Sequence, residues 1–385
     1  MAETAALLID HVLPKIPYRQ WVLTFPFKLR YLMASRPKIT TDFLKITINA
    51  ISSHLRRKAK EEYGIKKGRA GAVTMIQRFG SFINLSPHFH IIMTQGVYSK
   101  NSEQFNRVDV PTDSDVIAVL DRIDKKIKTY LEKNGYKDDY SNEQYAENPL
   151  MEQVVGASVQ SKIGLGRATG RGVRKIICPE NIRIHKGTSG KKRCASLAGF
   201  TLHADVAVEG RQQDRMEKLL RYILRPSVSH ERFSFTQDQQ VLYKLKRPFD
   251  DGTTYVKFTQ LELMETLAAL VPPPRANLIR FHGVFAPNCK IRKNIIPRSV
   301  EKKDQGVNPK DKSEHDRPYR LSWAELLKRV FKIDVEICPK CKGKMKIIAC
   351  IQDPGVIRKI LTHLKLASDP PVLAPAIQFS LDFEQ

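Results

Sequence analysis

The 385-residue chain has few cysteines, few acidic residues and no long apolar run. Six cysteines scattered over this length do not form the dense framework of a small disulfide-stabilised domain. No apolar run reaches the roughly 18 residues of a membrane span. Residues Met1–Pro14 lack the basic and then apolar layout of a signal peptide. We therefore expect a cytoplasmic protein with no membrane partner.

Acidic residues are scarce beside basic ones. The chain has 40 Asp and Glu against 65 Lys and Arg, which gives a formal net charge of +25 and a sequence pI of about 9.8. A field of this sign favours a polyanionic partner, and nucleic acid is the obvious candidate. Hydrophobic residues make up 42% of the chain, which is enough to bury a core. The length predicts a main domain with appendages.

A nucleotide-binding loop is also missing. The glycines of the segment Gly164–Gly170 have the wrong spacing for a dinucleotide fingerprint. The segment Gly187–Lys191 is too short for a phosphate-binding P-loop. We therefore predict no ATPase or helicase activity in this chain.

The segment Ser86–Thr94 has two histidines on either side of one phenylalanine, at the head of an apolar run. In an extended strand, His88 and His90 point to one face while Phe89 points to the other, into a core. Two such imidazoles are either half-buried, hydrogen-bonded side chains or the ligands of one divalent cation. Both interpretations are open at this point.

The preceding segment Ala72–Arg78 is predicted to be a second strand. A short connection separates it from the histidine segment, so the two strands are expected to pair in antiparallel fashion. Gln77 and Arg78 would then lie near the histidines, and we expect Arg78 to contact DNA. Farther along the chain, Asp113–Lys133 is predicted to be a helix and Leu197–Val208 a strand.

The segment Arg211–Arg225 is predicted to be an amphipathic helix with Tyr222 at the border of its apolar stripe. This tyrosine either packs at the border of the core or attacks a phosphodiester. A free phenol has a pKa near 10, so a reactive one needs cations or a metal nearby. A phosphotyrosine bond would store the energy of the broken linkage, so rejoining would need no ATP. The cations around it that we expect to contact DNA are Lys218, Arg221 and Arg225.

A glycine-rich basic insert spans residues 160–194 and has ten Lys or Arg against one acidic residue, Glu180. It is either a solvated insert or a cationic arm that closes over a phosphate backbone. The second interpretation makes Arg171, Arg174 and Lys175 DNA contacts. Residues 301–318 are charged and poor in large apolar side chains, which predicts a linker. Residues 319–385 are predicted to be a smaller helical segment.

That C-terminal segment contains the pair Cys338 and Cys341, which is half of a zinc knuckle. Cys350 and His363 are the nearest further ligands, and a closed four-ligand site is not evident. The pair is therefore either a candidate Zn²⁺ site or a turn with two reduced thiols.

Several segments together resemble the rolling-circle transposases of the insertion sequence 91 family, and the likeness runs nearly from end to end. The segments are Tyr18–Pro26, Ile76–Gly80, His88–His90, Leu220–Pro226, Leu278–Asn288 and Trp323–Cys341. The resemblance implies an endonuclease of the His-hydrophobe-His class in a bacterial, nucleoid-associated protein. Such an enzyme nicks one DNA strand at the end of a mobile element and becomes attached to the 5′ end.

By matching positions, the resemblance makes His88 and His90 the ligands of Mg²⁺ or Mn²⁺ and Tyr222 the nucleophile. A third ligand is expected in such sites, and Gln77 is the candidate. The implied fold is α+β, with a mostly antiparallel sheet and flanking helices in a nicking and strand-transfer domain over residues 1–300. The implied partner is single-stranded DNA.

Two departures from the family pattern matter. Founding members have two tyrosines one helical turn apart, whereas Pro226 stands four residues after Tyr222. The chain thus resembles the single-tyrosine branch, the transposases of common-region elements. A second strand transfer would need the same tyrosine again, another subunit of a homo-oligomer, or a free 3′ hydroxyl. Relatives also usually have a zinc module upstream, so we expect either a misassigned start or a lost module.

The sequence has three rival functional interpretations. A tyrosine recombinase would need a His-x-x-Arg motif shortly before its nucleophile, but the match at His54 and Arg57 lies far upstream of Tyr222. A carboxylate-triad transposase, using acids such as Asp205 and Asp250, leaves the histidine strand unexplained. The non-enzyme rival is a basic DNA-binding regulator or an inactive, degenerate transposase.

Overall fold

The protein has a mixed α+β fold, as predicted, in which antiparallel sheets are flanked by helices. The computed structural model describes residues 1–99, 103–136, 148–177, 192–249, 251–297, 321–338, 340–346 and 351–366. None of the helices in these ranges is both long enough and apolar enough to cross a membrane.

The secondary structure follows the chain in this order. The strands are β1 (Tyr18–Thr24), β2 (Gly68–Arg69), β3 (Gly71–Phe79), β4 (Leu85–Thr94), β5 (Gly96–Ser99), β6 (Phe105–Arg107), β7 (Arg174–Ile177), β8 (Cys194–Leu197), β9 (Phe200–His203), β10 (Ala207–Val208), β11 (Phe233–Phe235), β12 (Val241–Lys244), β13 (Thr253–Phe258) and β14 (Ile279–Gly283). The helices are α1 (Ala2–His11), α2 (Phe27–Ser35), α3 (Pro37–Tyr63), α4 (Asp113–Lys133), α5 (Pro149–Val159), α6 (Gln213–Ile223), α7 (Gln260–Leu270), α8 (Arg292–Ile295), α9 (Trp323–Phe331) and α10 (Pro354–His363).

The main sheet has the strand order β14-β3-β4-β1-β9-β8, with β10 also paired to β1, and every pair is antiparallel. The histidine strand β4 lies inside this sheet, between β3 and β1. Strand β1 pairs with β4 along its whole length, from Tyr18 opposite Thr94 to Thr24 opposite His88. Two smaller sheets have the orders β11-β12-β13-β7 and β2-β5-β6.

Alternation along β4 divides its side chains between the two faces of the main sheet. Phe89 and Ile91 belong to the core that α2, α3 and α4 cover. Ile92 belongs to a second core on the other face, where it packs with side chains of α1 and α6. Since residues two apart in a strand share a face, His88 and His90 lie on the face of the sheet that carries α6.

The β3–β4 hairpin was predicted from the sequence and is confirmed by its register. Gln77 pairs with His88 and Met75 pairs with His90. The register shifts between Gln77 and Phe79, which marks a bulge. Pro87 in the facing part of β4 has no backbone N–H to donate, and a bulge is where a sheet tolerates such a residue.

The predicted strand Leu197–Val208 is not continuous: Leu197 is the last residue of β8, and the rest contains β9 and β10. The break occurs at Ala198 and Gly199, whose φ angles are both positive, 49° and 81°. Positive φ at two successive residues suits the tight turn of a two-residue hairpin. The sequence pattern did not reveal it because alanine is an uncommon residue at such a position.

The basic insert is partly built into a sheet. Its residues 174–177 form β7, which pairs with β13. Residues 178–191 lie outside the described residues, as does the predicted linker at 301–318. In the C-terminal segment, α9 packs against α1, and Arg329 of α9 forms ion pairs with Asp10 of α1 and Glu217 of α6.

Candidate active site

The two histidine side chains of β4 converge. Their Nε2 atoms are 3.1 Å apart and their ring centroids are 4.9 Å apart. His90 is buried, with 7% of its surface exposed, and His88 is half-buried. Two imidazole nitrogens at this separation can both lie within bonding distance of one small divalent cation.

The outer nitrogen of each ring has its own partner. His88 Nδ1 donates to the backbone carbonyl of Ser86 at 2.7 Å. A carbonyl only accepts, so the proton of His88 is on Nδ1 and a lone pair remains on Nε2. His90 Nδ1 lies 2.9 Å from the side-chain amide of Gln20, on the neighbouring strand β1. Both rings are thus oriented by a second hydrogen bond, as metal-binding histidines usually are.

Burial lowers the pKa of both imidazoles, that of His90 to about 3. Nearby positive charge adds to this effect, because Arg225 lowers the pKa of both rings and Arg30 that of His88. The pair is therefore neutral at neutral pH, which is the form that binds metals.

Gln77 is the cross-strand neighbour of His88 and is buried. Its side-chain amide donates to the backbone carbonyl of Ile223, at the end of α6. This hydrogen bond fastens the tyrosine helix to the sheet beside the histidines. An amide that donates through nitrogen still has its oxygen for a cation, so Gln77 remains our candidate third ligand.

Tyr222 lies in the last turn of α6, and 45% of its surface is exposed. Two cations lie over its ring: the guanidinium carbon of Arg225 at 4.6 Å from the ring centroid, and Lys246 Nζ at 4.3 Å. Arg225 is also the residue whose charge lowers the pKa of His88 and His90. The tyrosine and the histidine pair are therefore on one face of the sheet, with Arg225 close to both.

A family model described as "Putative transposase" matches residues 71–293, which is more than half of the chain. The chain belongs to this transposase family. The matched residues include the histidine pair, Gln77 and Tyr222, whereas Gln20 and Arg30 lie before the match and the cysteine pair lies after it. No curated protein and no solved structure matches the chain.

The transposase has its predicted DNA contacts in two regions. Arg78, Arg221 and Arg225 are half-buried and Lys218 is exposed, in β3 and in or just after α6. Burial lowers the pKa of Arg78. The Nε atoms of Arg78 and Arg221 are buried without a hydrogen-bond partner among the described residues.

The second region is the basic insert, where two of the three predicted contacts are already in ion pairs. Arg174 contacts Glu262 at 2.6 Å and Lys175 contacts Asp251 at 2.9 Å. Arg171 is exposed. These pairs join β7 to its neighbours, so part of the positive charge of the insert is neutralised by the protein itself.

Three residues near the site were not predicted from the sequence: Gln20, Arg30 and Lys246. Gln20 and Lys246 come from elements far away in the chain from the residues that they contact, and Arg30 is far in the chain from His88, on which its charge acts. Gln20 precedes His90 by 70 residues. Arg30 lies in α2, where its Nε donates to the carbonyl of Phe25 at 2.5 Å. Only the strand order β4-β1 brings Gln20 and Arg30 to the histidines.

The cysteine pair of the transposase lies in a tight turn. The Cys338 N–H donates to Gly343 and the Lys342 N–H donates to Cys338, next to an isolated bridge between Ile337 and Lys344. Backbone N–H groups of Cys341 and Lys340 lower the pKa of the Cys338 thiol, which favours the thiolate. Within the described ranges, no group of three or more His, Cys, Asp or Glu side chains is arranged so that it could hold a metal ion. Cys350 lies outside those ranges, and zinc at this turn remains a prediction.

The rival assignments find little support in the geometry. His54 is buried on the opposite face of the sheet, where it packs on Trp21 and contacts Asp115. Asp205 pairs with Arg193 at 2.6 Å, and Asp250 is outside the described residues. A recombinase site at His54 would therefore be separated from Tyr222 by the sheet.

Proposed function

We propose that this transposase nicks single-stranded DNA at the ends of a mobile element and transfers the strand through a covalent 5′-phosphotyrosine at Tyr222. The observation that carries the proposal is the position of Arg225, which lies 4.6 Å over the Tyr222 ring and acts electrostatically on both histidines. This position supports a nucleophile and a metal site that share one substrate phosphate. The resemblance to the single-tyrosine branch of the insertion sequence 91 family supports the same reaction.

His88 and His90 would hold a divalent cation such as Mg²⁺ or Mn²⁺, with Gln77 as third protein ligand. The residues fit this role, because the two Nε2 atoms converge at 3.1 Å and burial keeps both rings neutral. When bound, such a cation polarises a phosphate and stabilises the charge that develops on it.

The protein's own cations would orient the phosphate. Arg30 and Arg225 both lie close enough to His88 to lower its pKa. Guanidinium groups bind phosphate oxygens in a fixed geometry and keep their charge at any physiological pH. Arg225 would hold the scissile phosphate against Tyr222, while Arg30 would neutralise it from the α2 side.

The proposed cleavage is a transesterification. The Tyr222 hydroxyl oxygen attacks phosphorus, a new P–O bond to tyrosine forms, and the bond to the 3′ oxygen of the preceding nucleotide breaks. The phenolic proton passes to solvent and the leaving 3′ oxygen takes a proton from solvent. One phosphodiester replaces another, so the reverse reaction rejoins the strand without ATP.

The proposal is tested with labelled single-stranded oligonucleotides that cover candidate element ends, in the presence of Mg²⁺ or Mn²⁺. A denaturing gel should show a cleaved strand and a protein–DNA adduct. Tyr222→Phe should abolish the adduct because the phenol oxygen is the attacking atom. His88→Ala should abolish cleavage but leave most of the charge-driven binding intact.

A control for the nucleophile needs a second tyrosine that DNA can reach. Tyr63 is exposed at the end of α3, whereas Tyr243 is buried in the second sheet and is unsuitable. Tyr63→Phe is the matched control and should form the adduct like the unaltered protein. If Tyr222→Phe still forms the adduct, the assigned nucleophile is wrong. A protein that retards the oligonucleotides on a native gel but never cuts them would be a DNA-binding protein without this activity.

A further inference from the structure

Positive charge gathers around Tyr222 from three separate elements. Arg225 follows α6 directly, and Lys246 follows β12. Strand β11 pairs with β12 so that Phe233 is opposite Tyr243. Arg232, just before β11, therefore lies beside the end of β12. Arg247 follows Lys246 directly in the chain. We call Arg232, Lys246 and Arg247 the Lys246 cluster.

The members of the Lys246 cluster act on one another. Burial lowers the pKa of Lys246, and the charges of Arg225, Arg232 and Arg247 lower it further, while Tyr222 opposes them. Lys246 Nζ is 4.3 Å from the centre of the Tyr222 ring. Lys246 is thus directly against the proposed nucleophile, and the charges of Arg232 and Arg247 act on Lys246.

No carboxylate of the described ranges forms an ion pair with the Lys246 cluster or with Arg225. By contrast, Arg174 and Lys175 in the basic insert are both paired. Like charges held together without a counter-charge repel one another, and a bound anion removes that repulsion. The arrangement is that of an anion site.

We propose that the Lys246 cluster binds a second phosphate of the DNA, one nucleotide or so from the scissile phosphate, on the strand that stays attached to Tyr222. This inference rests on the proposed function for the direction of the strand. The ligand class is a phosphodiester of single-stranded DNA.

The chemistry of the cut selects this strand. In an in-line displacement, the attacking oxygen and the leaving oxygen lie on opposite sides of phosphorus. The strand with the new 3′ hydroxyl therefore leaves on the side away from Tyr222. The retained strand continues from the 5′ oxygen, which lies in the plane between the attacking and the leaving oxygen. The next phosphate of that strand can therefore reach a cation beside the tyrosine ring. The cluster would hold that strand until it is rejoined.

The first test measures binding of a mixed-sequence single-stranded oligonucleotide by fluorescence anisotropy at a series of salt concentrations, with EDTA present to prevent cleavage. The double variant Lys246→Ala, Arg247→Ala should make the negative slope of log K against log salt shallower by about 0.7, the value for one phosphate on a single strand. That change corresponds to a loss of affinity of about fivefold at 0.1 M salt.

Lys244→Ala is the matched control, because Lys244 is an exposed lysine two residues before Lys246 but lies over the Tyr255 ring, at 5.9 Å from its centroid. It should leave the slope nearly unchanged. The single variants Lys244→Ala and Lys246→Ala remove one charge each. An equal loss in these two would overturn the proposal, since it would mean that only total charge matters. An unchanged slope in the double variant would overturn it as well.

The second test uses an oligonucleotide that the protein cuts, with a neutral methylphosphonate replacing one phosphate at a time. One position on the 3′ side of the cut should weaken binding by the unaltered protein and have no further effect in the double variant. Effects that add at every position, or a coupled position on the 5′ side of the cut, would contradict the proposal.

The two proposals fail separately. If no oligonucleotide forms a covalent adduct but the salt slope is shallower in the double variant, the phosphate site stands and the nicking activity does not. The opposite result is an adduct at Tyr222, an unchanged salt slope in the double variant and no coupled position in the methylphosphonate scan. The nicking activity then stands, and the Lys246 cluster has no phosphate-binding role.

Discussion

At the scale of single residues, a directional run of hydrogen bonds passes through the histidine pair. His88 donates to the Ser86 carbonyl, so its Nε2 accepts, and His90 Nε2–H is the donor that faces it. His90 Nδ1 then accepts from the Gln20 amide. A cation bound by both Nε2 atoms needs a lone pair on each, so the His90 proton has to move to Nδ1. Gln20 must then turn its amide and accept through oxygen.

We therefore expect Gln20→Leu to weaken metal binding by about 10- to 100-fold, because nothing would hold the His90 proton on Nδ1. Gln20→Glu should bind the metal at least as well as the unaltered protein, since a carboxylate can only accept. The measurement is titration of Mn²⁺ by calorimetry at pH 7.5, which does not depend on DNA cleavage.

The double variant His88→Ala, His90→Ala serves as the reference for lost binding in that titration. Thermal unfolding of each variant checks that the strand still folds. Equal Mn²⁺ affinity in Gln20→Leu and in the unaltered protein would show that Gln20 does not position His90.

His282 in β14 makes the stability of the fold depend on pH, and it lies outside the candidate active site. It contacts Thr74 through Nε2 at 3.1 Å, and burial together with Arg280 lowers its pKa to about 4. The unfolded chain takes up this proton near pH 6.5. The contribution of His282 to the free energy of unfolding is therefore largest above pH 6.5. It decreases by about 1 to 3 kcal/mol as the pH falls towards 4.

Urea unfolding between pH 7.5 and pH 4 measures this loss. His90, whose pKa is lowered to about 3, should extend the decrease below pH 4. His282→Gln should unfold with a shallower pH dependence between 6.5 and 4 than the unaltered protein. An identical pH dependence in both proteins would contradict the assignment to His282.

At the scale of elements, Arg329 connects the C-terminal segment to the tyrosine helix. Its guanidinium contacts Asp10 of α1 at 2.6 Å and Glu217 of α6 at 2.9 Å, and most of its surface and that of Glu217 is covered. Glu217 lies little more than one turn before Tyr222. The C-terminal helix α9 is thus tied to the helix that carries Tyr222.

Arg329→Ala should lower the free energy of unfolding by about 1 to 3 kcal/mol, because it leaves two partly covered carboxylates without their cation. The neighbouring substitution Lys328→Ala removes an exposed pair with Asp334 and should have little effect. Urea unfolding of both variants gives the comparison. Equal losses at positions 328 and 329 would mean that the contact between α9 and the tyrosine helix is unimportant.

Elements with strong local signals could be predicted closely. Helix α4 has the predicted bounds Asp113–Lys133, because the Thr112 side chain caps its first turn in a box with Asp115. The β3–β4 hairpin brought Gln77 beside His88 as expected. The turn at Ala198 and Gly199 was not predicted, since nothing in the local sequence is typical of it.

The surroundings of the candidate site could not be predicted in the same way. His88, His90 and Tyr222 have recognisable spacing or neighbours, so a sequence pattern can single them out. Gln20, Arg30 and Lys246 have none, and their contacts arise from strand order and from the packing of α6. A pairing between residues 70 positions apart leaves no period in the sequence.

At the scale of the whole molecule, the main sheet separates two kinds of surface. One face is covered by α2, α3 and α4 over a large apolar core. The other carries α1 and α6, the histidine pair and the cations around Tyr222. The family match ends before α9 and begins after β1, yet both contact the candidate site or the tyrosine helix. Elements outside the family match therefore help to position the candidate site.

The proposed attack by Tyr222 is tested most directly by mass spectrometry of the covalent adduct after digestion with nuclease and trypsin. Cleavage after Arg221, and none before Pro226, gives the peptide of residues 222–232, whose sole tyrosine is Tyr222. We predict this peptide with the added mass of a nucleotide 5′-phosphate on Tyr222, and only when Mg²⁺ or Mn²⁺ is present. A nucleotide on a different tyrosine, or an unmodified peptide in a protein that has cut DNA, would contradict it.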